Sequence, residues 1–447
     1  MPNDTNTTLA DTVRQVAHPL RGDASDYDPL MDWVGNARLV LLGEATHGTH
    51  EFYAQRAEIT QRLIQEKGFT AVAVEADFPD GYRVNRFVRG IGEDSTPEEA
   101  LRGFQKFPTW MWRNTDVVHF VGWLRQYNEV LAADRPKVGF YGLDLYSLYA
   151  SMGEVIKYLE QVDPEAAQRA RDRYDCFEQF EQDSQEYGFA VSFDLEASCR
   201  DETVNQLRDL QQQTAKYLQS DGQMAADEFF YAEQNARLVK NAEEYYRSMF
   251  QDRIDSWNVR DRHMAETLEQ LMAHLDRQGN PSKIVVWEHN SHLGDARATD
   301  LGRVGEWNVG QLVRERYGNE AILVGFTTYT GTVTAASNWG DLPQIKPVNP
   351  ALPDSYEALF HDTGLPRFLL NLRDQNQAVT ELSQTRLERA IGVIYRPETE
   401  RSSHYFYARL PDQFDAVIHI DETQAVQPLD LAPPETGEIT ETFPSAL

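Results

Sequence analysis

Cysteine is almost absent: the 447 residues hold two, Cys176 and Cys199. Two cysteines make no disulfide framework, and neither sits in a CxxC pair, so a thiolate zinc centre is unsupported. No apolar run approaches the roughly 20 residues that cross a bilayer. The opening Met1-Pro-Asn-Asp-Thr-Asn lacks the basic and apolar stretches of a secretory leader. A cytoplasmic, membrane-free protein is expected. A GxSxG elbow, a P-loop, a GxGxxG turn after the first strand and a helical HExxH are all missing. Their absence argues against an ordinary α/β-hydrolase triad, nucleotide chemistry and a zincin site.

Positive charge is also in short supply. Asp and Glu number 71 against 42 Lys and Arg, for a net charge of -29. Such a field repels polyphosphates, so nucleic acids and anionic membranes are not expected partners, and it draws cations into any acidic cleft. Only eight of the basic residues are lysine. Heavy acid with little lysine suits a protein kept soluble at high salt, and an ordinary acidic cytosolic protein is the alternative. Hydrophobic residues make up 41% and aromatics 11%, enough for a sizeable core.

Short apolar runs alternate with amphipathic stretches in the first third. Residues 38–43, 69–74 and 136–143 read as buried strands, and residues 51–66 and 115–131 as helices. This alternation predicts an α/β fold, a mostly parallel central sheet flanked by helices. From about Ser151 to His274 branched runs give way to Glu, Gln, Arg, Ala, Leu and Tyr, the texture of an inserted helical lobe. Strands resume at 283–287 and 320–327, with a short hairpin arm at 331–336 and late strands at 390–395, 405–410 and 416–420. The expected division is residues 1–150 and 276–422 for the α/β core, 151–275 for the helical insertion and 423–447 for a loosely held tail.

Four of the strands end alike. The first runs into Glu44-Ala-Thr-His47-Gly-Thr-His50, the second into Glu75-Ala-Asp77, the third into Asp144 and the fourth into Glu288-His289-Asn-Ser-His292. In open α/β sheets the ligand crevice lies at the carboxyl ends of strands. Charge is costly there unless paired, so four such ends converging on one edge predict an active site. Imidazole is suited to taking a proton from water, a carboxylate orients it, and a cation or second imidazole steadies the oxyanion. His47, Glu44 or Glu75, Arg56 and His289 supply those parts without metal or cofactor. Glu75 is equally a structural partner for Arg56, and Asp144 an acceptor for loop N–H groups. Ser291 sits between two histidines, but neighbours along a chain rarely point together, which disfavours a serine nucleophile. His47, His50, Glu288 and His289 as metal ligands form a second reading, and a non-catalytic small-molecule binder a third.

The run Leu42-Gly-Glu44-Ala-Thr-His47-Gly-Thr-His50-Glu-Phe, followed by Arg56, resembles the opening signature of the erythromycin esterase family. Val72-Ala-Val-Glu75-Ala, Gly142-Leu-Asp144, Arg260-Asp-Arg262-His-Met-Ala, Trp287-Glu-His289-Asn-Ser-His292 and Trp307-Asn-Val-Gly310 resemble later segments of it. The resemblance implies an α/β core with a helical lobe and a deep cleft between them. It also implies hydrolysis of a small-molecule ester or macrolide lactone by histidine-activated water, without a covalent intermediate. By motif, His47 would be the general base, Glu44 and Glu75 would orient it or the water, and Arg56 would brace those carboxylates. His289 and His292 would contact substrate or developing charge, with His50, Asp144 and Glu288 in supporting places. The family includes many members whose substrates are not macrolides. Glu288 stands where a smaller or neutral residue is expected in many relatives.

Overall fold

The structure is a computed structural model that describes residues 8–430 apart from 133–134, 181–182, 194–197, 218–221 and 280. Its centre is a sheet of nine strands. They are β1 (His18–Pro19), β2 (Leu39–Leu42), β3 (Ala71–Asp77), β4 (Gly139–Asp144), β5 (Ile284–Trp287), β6 (Ala321–Ala335), β7 (Gln344–Val348), β8 (Arg367–Asn371) and a last strand, Ala416–Thr423. Two further strands, β9 (Arg386–Arg389) and β10 (Tyr405–Ala408), pair with each other outside the sheet. The last sheet strand is therefore β11. The order is β1-β8-β11-β6-β2-β5-β3-β4, with β7 antiparallel to the far half of β6. The six strands from β11 to β4 run parallel, and β8 and β1 close one edge antiparallel.

The central strands are short because the chain supplies only brief runs of branched residues, and they are buried on both faces. Leu39 and Leu41 face one hydrophobic cluster, Val40 and Leu42 the other, and Ile284–Trp287 divides the same way. Alternation without a polar face is what a parallel sheet covered on both sides requires. Truncating Leu41 to Ala would leave a cavity costing about 2–5 kcal/mol.

One face is covered by the helices His50–Lys67 and Thr115–Val130. The other cluster runs on into the helical region, where Tyr158, Phe177, Tyr187 and Tyr246 join Leu41 and Ala73. There the long helix Gly222–Met249 packs along Leu148–Val162, Arg200–Gln212, Ser184–Phe193 and Arg253–Asp276. Cys176 and Cys199 meet in this region as a single disulfide, with Cα atoms 5.9 Å apart. That is one cross-link where the sequence suggested none. Among the described residues no helix is long and apolar enough to cross a membrane.

Two expectations change. Residues 390–395 form no strand; Ile391 and Ile394 make isolated bridges to Thr46 and Ala336. Gly392 interrupts the apolar run, and Ile391 bonds the turn after β2 through Ala45 O (2.8 Å) and His47 N (3.3 Å). Residues 424–430 also pack against the body. Val426 is buried and donates to Gly48 O at 3.0 Å, and Leu429 donates to Arg113 O at 2.9 Å. Residues 431–447 of the expected tail lie outside the described residues.

Candidate active site

β5 slots between β2 and β3, with β4 next, so the turns leaving these four parallel strands stand side by side. Leu42 and Val74 both register with Trp287. That adjacency is why residues 240 apart in the chain meet. Asn290 stitches two of the turns together. Its N–H donates to Glu44 O (2.8 Å) and its side chain to Phe326 O (2.7 Å). Gly43 is required here, because a Cβ would strike the Asn290 amide. Gly48 is required as well, because a Cβ would collide with the Thr334 backbone.

Glu44 and His47 are both buried. His47 Nδ1 lies 2.9 Å from Glu44 Oε1, and Arg56 Nη2 donates to Glu44 Oε2 at 2.6 Å. Arg56 is fully buried, with its guanidinium over the rings of Tyr53 and Trp287. Those faces offset part of the cost of a buried cation. The Glu75 alternative for Arg56 is not what forms. With Nδ1 engaged, Nε2 is left for the pocket that His47 lines with His289, Ser291, His292, Trp257 and Arg260.

His289 stands opposite, its ring centroid 4.7 Å from that of His47. Its Nδ1 accepts the Ser291 N–H (3.3 Å) and lies 2.8 Å from Ser291 Oγ. A nitrogen that accepts a backbone N–H carries no proton, so the hydrogen-bond network assigns the Nε2–H tautomer. Burial, then the neighbouring His47, holds the pKa of His289 well below its ordinary value, so the ring is neutral at working pH. Its buried Nε2 has no hydrogen-bond partner. Ser291 and His289 do point together, against expectation, because the short helix Asn290–Leu293 begins between them.

Arg260 organises the next layer. It grips Asp144 with two bonds (Nε–Oδ1 3.0 Å, Nη2–Oδ2 2.6 Å), donates to Glu75 Oε1 at 2.8 Å and reaches His292 Nε2 at 3.0 Å. Glu75 Oε2 accepts the His289 N–H at 2.8 Å. Burial alone would raise the Glu75 pKa. The imidazoles of His292 and His47, the Arg260 guanidinium and that N–H outweigh it and hold Glu75 ionised, below the usual range. Glu75 thus fixes the His289 backbone rather than the His47 ring. Asp144 also accepts the Leu145 N–H at 2.9 Å. His292 stacks on Trp257 (4.5 Å, 9°), and its Nδ1 bonds Asp261 at 3.0 Å.

Two proposed participants stand apart. His50 opens the helix His50–Lys67 and turns outward to Asp116, 2.9 Å away, with nearly half of its side chain exposed. The chain changes from turn to helix between His47 and His50, so the i, i+3 spacing does not align them, and the four-ligand metal set is not assembled. Glu288 is buried, and among the described residues neither carboxyl oxygen has a hydrogen-bond partner. Burial, then Glu75 and Asp261, pushes its pKa well above the usual range, which favours its protonated form.

The sequence assigned no role to Trp257, Arg253 or His404, and Arg260 and Asp261 entered only within a resembling motif. Arg253, Trp257, Arg260 and Asp261 fall at i, i+4, i+7 and i+8 of the helix Arg253–Asp276, one inward stripe. That periodicity was the available signal. His404 lines the same pocket, and burial takes its pKa down to about 4.

The fold and site define an α/β protein with paired histidines at the carboxyl edge of a parallel sheet. The erythromycin esterase family model matches residues 64–423, and the chain belongs to that family. Membership points to a hydrolase. The match begins after Glu44, His47 and Arg56, so geometry alone brings those residues into the site. The putative hydrolase YbfO of Bacillus subtilis (strain 168) is 24% identical over 408 residues, 86% of this chain and 83% of its own length. Erythromycin esterase type II of Escherichia coli is 24% identical over 320 residues, 69% of this chain and 73% of its own. A crystal structure described as an erythromycin esterase mutant in its open conformation shares the fold, with a TM-score of 0.64 at 16% identity, covering 92% of this chain and 96% of that one.

Proposed function

We propose that the protein hydrolyses a carboxylic ester or lactone with water activated at His47 Nε2, without a covalent intermediate. The observation that carries this reading is the chain Arg56–Glu44–His47 facing the neutral His289 ring. Arg56 fixes Glu44, Glu44 fixes the Nδ1–H tautomer of His47, and Nε2 is left basic toward the pocket. Water gives its proton to Nε2 as its oxygen attacks the carbonyl carbon. Negative charge moves to the carbonyl oxygen, where His289 Nε2–H is placed to donate. When the tetrahedral species collapses, the leaving oxygen takes the proton back from His47.

The 2.8 Å approach of Ser291 Oγ to His289 Nδ1 supports a second reading, a covalent acyl-serine. It is the weaker one, because His289 has no carboxylate on its other nitrogen and burial depresses its basicity.

The test is turnover of a panel of macrolides and simple aryl and alkyl esters, with and without EDTA, by wild type, His47→Asn and Ser291→Ala. Loss in His47→Asn with activity kept in Ser291→Ala and in EDTA supports the water mechanism. An acyl adduct by mass spectrometry that vanishes in Ser291→Ala supports the serine reading. Full activity in His47→Asn refutes the proposal.

A further inference from the structure

Beside Arg260 lies a second pocket, which shares Arg260 with the first. Its walls bring together Asp77, Asp80, Phe104, Lys106, Phe107 and Trp112. The nearby Glu75 and Asp144 are already answered by Arg260. Asp77 and Asp80 are not answered in that way.

The ordinary role for these two acids is to serve the N-terminus of the helix Phe78–Arg89. Asp77 stands at its N-cap, but its side chain accepts no capping hydrogen bond. The side chain is nine-tenths buried, lines the pocket, and its Oδ1 has no hydrogen-bond partner among the described residues. Lys106 comes only to 3.9 Å of Oδ2 and donates to Tyr146 O at 3.2 Å. Asp80 shares the pocket, and burial followed by the neighbouring Asp77 carries its pKa up to about 7. Burial raises the Asp77 pKa as well, against the pull of Lys106, whose ammonium stops 3.9 Å from Asp77 Oδ2.

Aromatic rings supply much of the remaining wall, beside Ala76, Pro108 and Met111. Phe104 and Trp112 lie 6.2 Å apart, and Phe107 packs at their side. The Trp112 Nε1–H is held by Glu75 O at 3.1 Å. Rings give a metal ion no lone pairs to bind, but they attract an organic cation through their negative faces. A carboxylate with an open oxygen beside aromatic walls is the chemistry that recognises a protonated amine.

We propose that this second pocket binds an organic ammonium group, the amine-bearing end of a substrate whose ester lies in the His47 pocket. The substrate half of this inference rests on the hydrolytic reading above; the binding half does not.

The probe pair is cyclohexylammonium and neutral cyclohexanol, titrated calorimetrically into the full chain at pH 8. Cyclohexylammonium is expected to bind wild type at least tenfold more tightly than cyclohexanol, and Asp77→Asn to erase that difference. Asp80→Asn gives a second reading, with partial loss, should Asp77→Asn fold poorly. Equal binding of both probes by wild type, or an undiminished ammonium preference in both variants, overturns the site.

Hydrolysis is then compared for two esters of equal shape, one with a protonated amine and one with carbon in its place. A kcat/KM ratio of tenfold or more in favour of the cationic ester, falling toward one in Asp77→Asn, ties the pocket to the substrate. Ammonium binding with no hydrolysis of any ester leaves the pocket and removes the esterase reading. Hydrolysis with neither ammonium binding nor charge preference leaves the esterase reading and removes the pocket.

Discussion

Glu44 and Glu288 occupy equivalent places. Each directly follows the carboxyl end of a central parallel strand, or stands one glycine beyond it, and each precedes a histidine of the pocket. Both are buried to a few per cent or less. Their partners differ by one cation. Glu44 has Arg56 on one oxygen and His47 on the other. Glu288 has no bonded partner and neighbours of its own sign, Glu75 and Asp261. One carboxyl can therefore hold an imidazole in register, whereas the other holds its own proton. Depth of burial does not set the role of an acid at this edge; the partner does.

The same substitution at both places breaks the comparison open. The largest effect is expected one step further along the first chain. His47→Asn should lower kcat by about 10²–10⁴-fold, the usual worth of a general base, while the melting temperature stays close to wild type. Next, Glu44→Gln leaves the Arg56 guanidinium buried without an anion. About 3–5 kcal/mol of stability should go, read by denaturant unfolding, together with most turnover.

Glu288→Gln should behave oppositely, because glutamine resembles the acid in its protonated form. Below the ordinary carboxyl value both states of wild type are protonated, and the two proteins should be equally stable. Above it the unfolded chain ionises and the folded chain does not, so wild type loses stability as pH rises and the variant does not. One pH unit above that value the variant should lead by about 1.4 kcal/mol. Chemical denaturation at two pH values measures this, and a gap between the two proteins that does not widen as pH rises would show that Glu288 is ionised in the fold. The smallest effect belongs to Ser291→Ala. The Ser291 N–H still holds His289, so only one hydrogen bond goes, about 0.5–1.5 kcal/mol, and kcat should fall no more than about tenfold.

Much of this edge was legible in the sequence for a physical reason. Short apolar runs ending in Glu, Asp or His announce buried strands that deliver charge to one rim, and β2 through β5 do so. What could not be read was which charges meet. Arg260 finds Asp144 and Glu75 across separations of 116 and 185 residues, and no local pattern encodes that. His50 stood beside the expected helix start, and which partner it would turn to, Asp116 on another helix, is not written in its spacing from His47. Residues 390–395 had the composition of a strand, but Ile391 bonds the Ala45–His47 turn while Val393 and Tyr395 bond Ala336 just past the end of β6. Cys176 and Cys199 stand 23 residues apart, and only the folding of the helical region makes them neighbours.

The clasp on Gly48 carries a consequence in time. Its carbonyl is shared by Thr334 and Val426, and Gln424 O takes the His50 N–H. The turn that bears His47 is thus gripped by segments made nearly three hundred and nearly four hundred residues after it. During synthesis the first strands can pair long before that grip exists. A ribosome must deliver almost the whole described chain before the His47 turn has its final shape. A nascent chain therefore holds its imidazoles unassembled until its last strand is out.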